Sequence, residues 1–219
     1  MTQITHSFKR LFKPAVEPVA QTAPAAPASL RRSSGLREFC RELQGQQGLR
    51  ILDLGTASQA NISFFTGLRH KIYTEDLHQA LTASAYRVRR ENSQWRFDVD
   101  KFLAENLSYQ MLLFDAVLCW DVLDQLDESA VRPLVDRLHW VVKPGGVLLG
   151  FFHLAAPGAT IPISRYRIQG PETLELLPRG QCTLRRPLNN RNIENLFKSF
   201  HSLKFFLARD NLREVLVIR

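Results

Sequence analysis

The segment Arg50-Ile51-Leu52-Asp53-Leu54-Gly55-Thr56-Ala57-Ser58-Gln59-Ala60-Asn61 constrains the fold of this chain more than any other. A short apolar run ends in a carboxylate, passes through a glycine and enters a polar helix start. Apolar residues without a polar alternation are the mark of a strand buried on both faces. Glycine at 55 permits a tight turn and a close backbone approach. A carboxylate at 53 can orient loop amides or receive a ligand ammonium. In doubly wound folds this strand-turn-helix order builds a cradle for a nucleotide-type cofactor. Ala57 and Gln59 stand where an acidic-x-Gly-x-Gly-x-Gly loop carries its next two glycines.

The chain continues the alternation on both sides of this segment. Ser33 and Ser34 are candidate helix caps, followed by Leu36, Phe39, Cys40 and Leu43 at helical spacing and by Gly45 and Gly48 as a stop. Ser58 to Leu68 reads as a helix and Lys71 to Thr74 as a second strand. Residues 78–90 read as helical, and a weak third strand falls near Trp95 to Val99. Ala116 to Cys119 is a clear strand. Val131 to Val142 is an amphipathic helix, stopped by Pro144-Gly145-Gly146. Val147 to Phe152 is the next strand, Asn192 to Phe200 the last helix, and Leu203 to Leu207 with Glu214 to Ile218 a closing hairpin. The expected fold class is α/β: a Rossmann-like, doubly wound, seven-stranded sheet, mostly parallel, with a C-terminal antiparallel hairpin.

Composition bounds the rest. At 219 residues and 45% hydrophobic, the chain can bury one full-sized core. The formal net charge is +8. Residues 1–34 hold Lys9, Arg10, Lys13, Arg31 and Arg32 against Glu17 alone, so half of the excess sits in the tail. The remainder is too mildly basic for charge to demand a nucleic-acid partner. Cys40, Cys119 and Cys182 have neither paired metal-ligand spacing nor an even count. A reducing, cytoplasmic location and no metal are expected. Residues 1–34 are expected to form a disordered basic tail, Ala/Pro-rich from 14 to 29, ahead of a domain at 35–219. Within the tail, Ile4, Phe8, Leu11 and Phe12 make a short stripe beside Lys9, Arg10 and Lys13. Residues 4–13 are thus a candidate for weak contact with a membrane surface or a protein groove. No oligomer signal is present.

Acidic residues recur at strand ends. Glu75 and Asp76 close the second strand, 22 and 23 residues beyond Asp53, where a carboxylate can accept both hydroxyls of a ribose. Asp98 and Asp100 follow the third strand, in position to accept from an adenine amino group. Trp120 and Asp121 end the fourth. Each acid alone is equally a helix cap or first-turn residue. Together they mark the carboxyl edge of the sheet, the favoured ligand position in open α/β folds.

With these residues in view the chain resembles the class I S-adenosylmethionine-dependent methyltransferases, of the type 11 kind. The resemblance rests on Leu52-Asp53-Leu54-Gly55, Tyr73-Thr74-Glu75-Asp76-Leu77, Phe114-Asp115-Ala116-Val117-Leu118-Cys119-Trp120-Asp121-Val122-Leu123, and Leu138-His139-Trp140-Val141-Val142-Lys143-Pro144-Gly145-Gly146-Val147-Leu148-Leu149, in that order. It covers roughly residues 35–153. It implies S-adenosylmethionine as cofactor, with Asp53 and Gly55 at its methionine end and Asp76, or Glu75, on the ribose. It further implies Asp98 or Asp100 on the adenine and Cys119 and Trp120 along its border. Ala57 and Gln59 depart from the glycine pattern; the Gln59 amide is a candidate hydrogen-bond partner for the cofactor.

Methyl transfer mainly needs alignment, and a general base only where the acceptor loses a proton. His153, just past the fifth strand, is the first candidate base, with Asp121 and Tyr166 behind it. Residues 153–188 form a long connection of the kind that serves as lid or substrate wall. Its Arg165, Arg167, Arg179, Arg185 and Arg186 suit either an anionic substrate or a solvated face. The expected activity is methyl transfer to a small-molecule or lipid-like acceptor. The alternative is a non-catalytic cofactor-binding or scaffold protein on the same fold.

Overall fold

A computed structural model describes residues 27–89, 95–208 and 210–219. The candidate stripe at residues 4–13 and most of the Ala/Pro-rich segment lie outside the described residues.

The chain enters the fold earlier than its composition suggests. Ser29–Arg32, assigned on sequence to the tail, is a strand, β1. Helix α1 (Ser34–Glu42) follows, capped by the Ser33 side chain, which accepts from the Leu36 amide. Next come β2 (Arg50–Asp53), α2 (Gln59–Gly67) and β3 (Lys71–Thr74). The expected helix over 78–90 is only α3 (Leu77–Thr82), a single 3-10 turn at Ser84–Tyr86 and then β4 (Arg87–Arg89). Ala83, with extended backbone angles, ends the helix. β5 (Trp95–Phe97), α4 (Val99–Asn106), β6 (Phe114–Trp120), α5 (Val122–Gln125) and α6 (Glu128–Val141) continue the chain. β7 (Val142–His153), β8 (Thr160–Gly170), β9 (Thr173–Thr183), α7 (Asn190–Leu196), β10 (Ser202–Phe206) and β11 (Leu212–Ile218) complete it.

The main sheet has six strands in the order β10-β11-β7-β6-β2-β3. β7, β6, β2 and β3 are parallel; β11 and β10 are added antiparallel. Seven strands were expected. The one near Trp95 exists, but it pairs with β4 as a separate two-stranded ribbon rather than joining β3 at the sheet edge. Its residues are largely exposed, so no apolar face draws it onto the sheet. Pro144-Gly145-Gly146 is also not a simple turn. α6 runs directly into β7, and the segment forms a bulge: Phe114 pairs with Val142, but Ala116 pairs with Val147. Gly145 supplies the positive φ of 76° there, and its amide bonds the Arg219 carbonyl. Lys143 donates to Asp115 at 2.6 Å.

Two cores cover the two sheet faces. Leu52, Val117, Cys119 and Leu148 pack with α4, α6 and α7 on one face. Ile51, Ala116, Leu118 and Leu149 pack with α1 and α2 on the other, together with Tyr166 and Ile168 of β8 and Leu174 of β9. The connection at 153–188 is mostly a β-hairpin, with register shifts at Ile163–Ser164 and Ile168–Gly170, and β1 extends it to a three-stranded sheet in the order β1-β9-β8. An ion-pair cluster ties this second sheet to the first. Arg31 of β1 pairs with Asp210 at 2.5 Å and with Glu214 of β11. Glu214 also accepts from Ser33 Oγ and the Gly35 amide.

Candidate active site at the carboxyl edge

Adjacent parallel strands bring Asp53, Glu75 and Trp120 to one edge. The Glu75 amide donates to the Asp53 carbonyl at 2.9 Å, and the Leu54 amide to the Leu118 carbonyl at 2.9 Å. Asp53 is 0% exposed. Its Oδ1 accepts from the Gly55 amide at 2.9 Å and from the Trp120 indole at 2.6 Å; its Oδ2 accepts from the Asn61 amide at 2.8 Å. Burial pushes the Asp53 carboxyl above the usual carboxylate range, and the bonds from Asn61, Trp120 and Gly55 oppose that rise without cancelling it.

Gly55 is needed, but for a neighbour within the chain. A Cβ there would stand 2.7 Å from Trp120 Cδ1 and 2.8 Å from its Nε1. Trp120 reaches this place from the end of β6 with φ of 48°, a left-handed angle that a bulky side chain rarely adopts. The register of β6 on β7 shifts at the same point. The indole is 1% exposed and stacks on Tyr166 of β8, with ring centroids 5.0 Å apart and planes 4° from parallel. Phe151 meets both rings edge-on.

Asn61, which the sequence reading did not single out, fastens β8 over this loop. Its amide nitrogen donates to the Tyr166 carbonyl at 3.2 Å as well as to Asp53, and its oxygen accepts from the Ile168 amide at 2.8 Å. Arg165 donates to the Ala57 carbonyl. Ala57 and Gln59 themselves are exposed, and Gln59 bonds Ser63 one turn along α2. An Asn two positions past a missing glycine carries no motif of its own; only the register of β8 gives it a role.

The other expected cofactor residues are dispersed. Asp76 caps α3 through the Gln79 amide, and Asp98 caps α4 through the Lys101 amide. Both are partly exposed. Glu75 accepts from the Tyr109 hydroxyl. Asp100 is exposed in the first turn of α4. Cys119 does not border a cleft: it is fully buried in the helix-side core, and burial pushes its thiol far up.

Two carboxylate–imidazole pairs lie below the edge. Asp124 of α5 accepts from the His153 amide at 2.6 Å and sits 3.0 Å from His153 Nδ1. Asp121 is 0% exposed, with Oδ1 3.3 Å from His78 Nε2. Burial pushes His78 down, but Asp121 and Gln125 outweigh it and hold the imidazole above its ordinary value. Burial and the Asp121 carboxylate raise the Tyr166 hydroxyl well above its ordinary value, which disfavours it as a proton acceptor. Neither oxygen of Asp121 nor Oδ1 of Asp124 receives a well-aligned hydrogen bond. Buried polar atoms left in this state are costly and characteristic of functional sites. His78 and Asp124 were not singled out on sequence; each lies within four residues of an acid that was.

Two cavities flank these pairs. The larger, about 1010 Å³, opens between α3, the β4–β5 ribbon, α5 and the end of β9, with Asp124 and Gln125 in its wall. The smaller, about 400 Å³, is lined by His153 and Arg213. Leu188 lines both. Of the thirteen site residues expected from sequence, only His153 lines either cavity.

A model of the methyltransferase domain family matches residues 52–150, from β2 into β7. Over this span the chain is similar to the class I S-adenosylmethionine-dependent methyltransferases. Among solved structures, a SAM dependent methyltransferase from Archaeoglobus fulgidus superposes with a TM-score of 0.50 at 10% identity, over 84% of this chain and 91% of that one. A protein from Pyrococcus horikoshii OT3 does so with a TM-score of 0.50 at 11% identity, over 84% and 88%. The chain shares its fold with these two structures. No curated protein sequence matches it. The matched span contains the Asp53–Gly55 loop, the edge acids and Trp120, but not the β8–β9 hairpin that covers them. The cofactor of the class I family is S-adenosylmethionine. Among the described residues no helix is long and apolar enough to cross a membrane.

Proposed function

We propose that this protein transfers a methyl group from S-adenosylmethionine to a small-molecule or lipid-like acceptor. The observation that carries the reading is the convergence of the Asp53–Gly55 loop, the Glu75–Asp76 strand end and the β6 terminus at one sheet edge. Asp76 and Asp98 fit the nucleoside end of the cofactor: each spends one oxygen on a helix cap and remains partly exposed. The methionine end is covered by Trp120, whose ring lies over Gly55. Asp53 and Gly55 would hold the amino-acid end of the cofactor, and Trp120 would have to yield space beside Gly55 for it.

When bound, the cofactor supplies an electrophilic methyl group; the protein's part is alignment and exclusion of water. The β8–β9 hairpin excludes water by covering the loop through Asn61, Arg165 and Tyr166. With Asp124 ionised, His153 would donate through Nδ1 and leave Nε2 as the proton acceptor, and the residue lines the smaller cavity. This is the general-base assignment, and Asp124 is its positioning residue.

A second reading, a non-catalytic protein on the same fold, is favoured by one observation: Asp53 has its carboxylate filled by three donors of its own chain. Titration calorimetry with S-adenosylmethionine and S-adenosylhomocysteine decides between them. Binding of both is expected. No heat at millimolar ligand with folded protein overturns methyl transfer, and binding without turnover across an acceptor panel leaves the second reading standing.

A further inference from the structure

We infer that the larger cavity is a binding site for an amphiphilic organic anion, an aryl or acyl body carrying a carboxylate, sulfonate or phosphate. The inference concerns binding alone and goes beyond the reading above, since His153 lines the smaller cavity and not this one. Phe97, Leu123, Leu126 and Leu188 form an apolar lining, and Trp95 stands at the rim with 68% of its surface exposed. An aromatic so uncovered beside an apolar hollow offers a face for stacking. Arg87, Arg96 and Arg185 line the same cavity.

The charge balance decides the sign of the ligand. Three carboxylates also line the cavity, and each is already engaged. Asp124 holds His153, Asp127 caps α6 through Ser129, and Glu128 pairs with Arg186. Arg87, Arg96 and Arg185 have no ion pair among the described residues. Three guanidinium groups around one mouth repel each other, and an anion bound between them relieves that repulsion through charge-assisted, bidentate hydrogen bonds. Asp127 faces Arg185 at longer range, so a neutral lipid would leave Arg87 and Arg96 without a counter-charge among the described residues. An inorganic anion would leave the apolar lining and Trp95 uncovered. A volume of about 1010 Å³ suits a body of drug size or larger.

The test uses two dyes of nearly the same shape on the full chain without cofactor. These are 8-anilinonaphthalene-1-sulfonate, which carries a sulfonate, and N-phenyl-1-naphthylamine, which does not. Fluorescence titration is expected to show at least tenfold tighter binding of the sulfonate dye, weakening as salt is raised. The Arg96→Gln/Arg185→Gln double variant should lose at least fivefold in affinity for the sulfonate dye and keep its affinity for the neutral one. Arg96→Lys/Arg185→Lys should recover at least part of the loss. Ser84→Trp, which places a ring into the cavity wall, should weaken both dyes. Equal binding of the two dyes overturns the proposal. So does an unchanged sulfonate affinity in the glutamine variant, or an equal loss of both dyes in it. Because no cofactor is used, failure here leaves the calorimetric test of methyl transfer untouched, and the reverse also holds.

Discussion

Trp120 Nε1 donates to Asp53 Oδ1 at 2.6 Å, joining the end of one parallel strand to the loop that follows its neighbour. The bond places the indole over Gly55 and beneath Tyr166. A loop whose sequence points to a cofactor is thus closed by a side chain of the same chain. The left-handed φ of Trp120 is a local cost of about 1–3 kcal/mol, offset by the stack and the hydrogen bond.

Trp120→Phe keeps an aromatic ring against Tyr166 and removes the donor. It should destabilise the fold by about 1–3 kcal/mol, the usual cost of leaving a buried acceptor short of a partner. It should also weaken the closed arrangement and raise the affinity for S-adenosylhomocysteine severalfold. Urea unfolding and calorimetry on one preparation read both effects. Weaker cofactor binding in this variant would show that the indole holds the ligand instead of excluding it.

Asp53→Ala leaves the Gly55 amide, the Asn61 amide and the Trp120 indole without their shared acceptor. At least a tenfold loss of S-adenosylmethionine affinity is expected, since the loop proposed to carry the cofactor is no longer held. Unchanged binding would place the cofactor site elsewhere.

Glu214→Gln removes the more buried of the two carboxylates that face Arg31, with Ser33 and the Gly35 amide also on it. Both side chains of the pair are nearly fully buried. Breaking such a pair typically costs about 3–5 kcal/mol. The midpoint of urea unfolding should fall, and Arg31→Met with Glu214→Leu should recover much of the loss by replacing the pair with apolar packing.

His78 titrates above its ordinary value of 6.5 in the folded chain, because Asp121 and Gln125 outweigh the opposing effect of burial. A raised folded value means that its contribution to stability is complete below about pH 6.5 and is lost as pH rises through the folded value. Proton NMR of the His78 ring should give a midpoint above 6.5 in the parent and a lower one in Asp121→Asn, where Gln125 and Asp76 alone oppose the effect of burial. The same midpoint in both proteins would mean that the pair at 3.3 Å carries no electrostatic coupling.

How far the fold could be read depended on how local its cause was. β2, β3, β6 and α6 follow from runs of apolar residues at periods that a short window contains. The helix expected at 78–90 failed because spacing alone did not reveal where Ala83 leaves the helical angles. The strand at Trp95 was found, but its partner was not: pairing with β4 or with β3 depends on which face finds apolar cover. The hairpin at β8–β9 was taken for an irregular connection, since its alternation is interrupted by the shift between Ile163 and Ser164 and by exposed positions.

By itself the sequence determined the α/β alternation, the position of the Asp53–Gly55 loop and the acids at the strand ends. Those features arise from contacts between residues near one another along the chain. The tertiary structure decided what occupies the loop. Asp53 and Trp120 are 67 residues apart, and Asn61 and the Tyr166 carbonyl 105. No local pattern encodes either bond. Each exists because parallel pairing sets β6 beside β2 and because a second sheet, anchored through Arg31, lays β8 across α2.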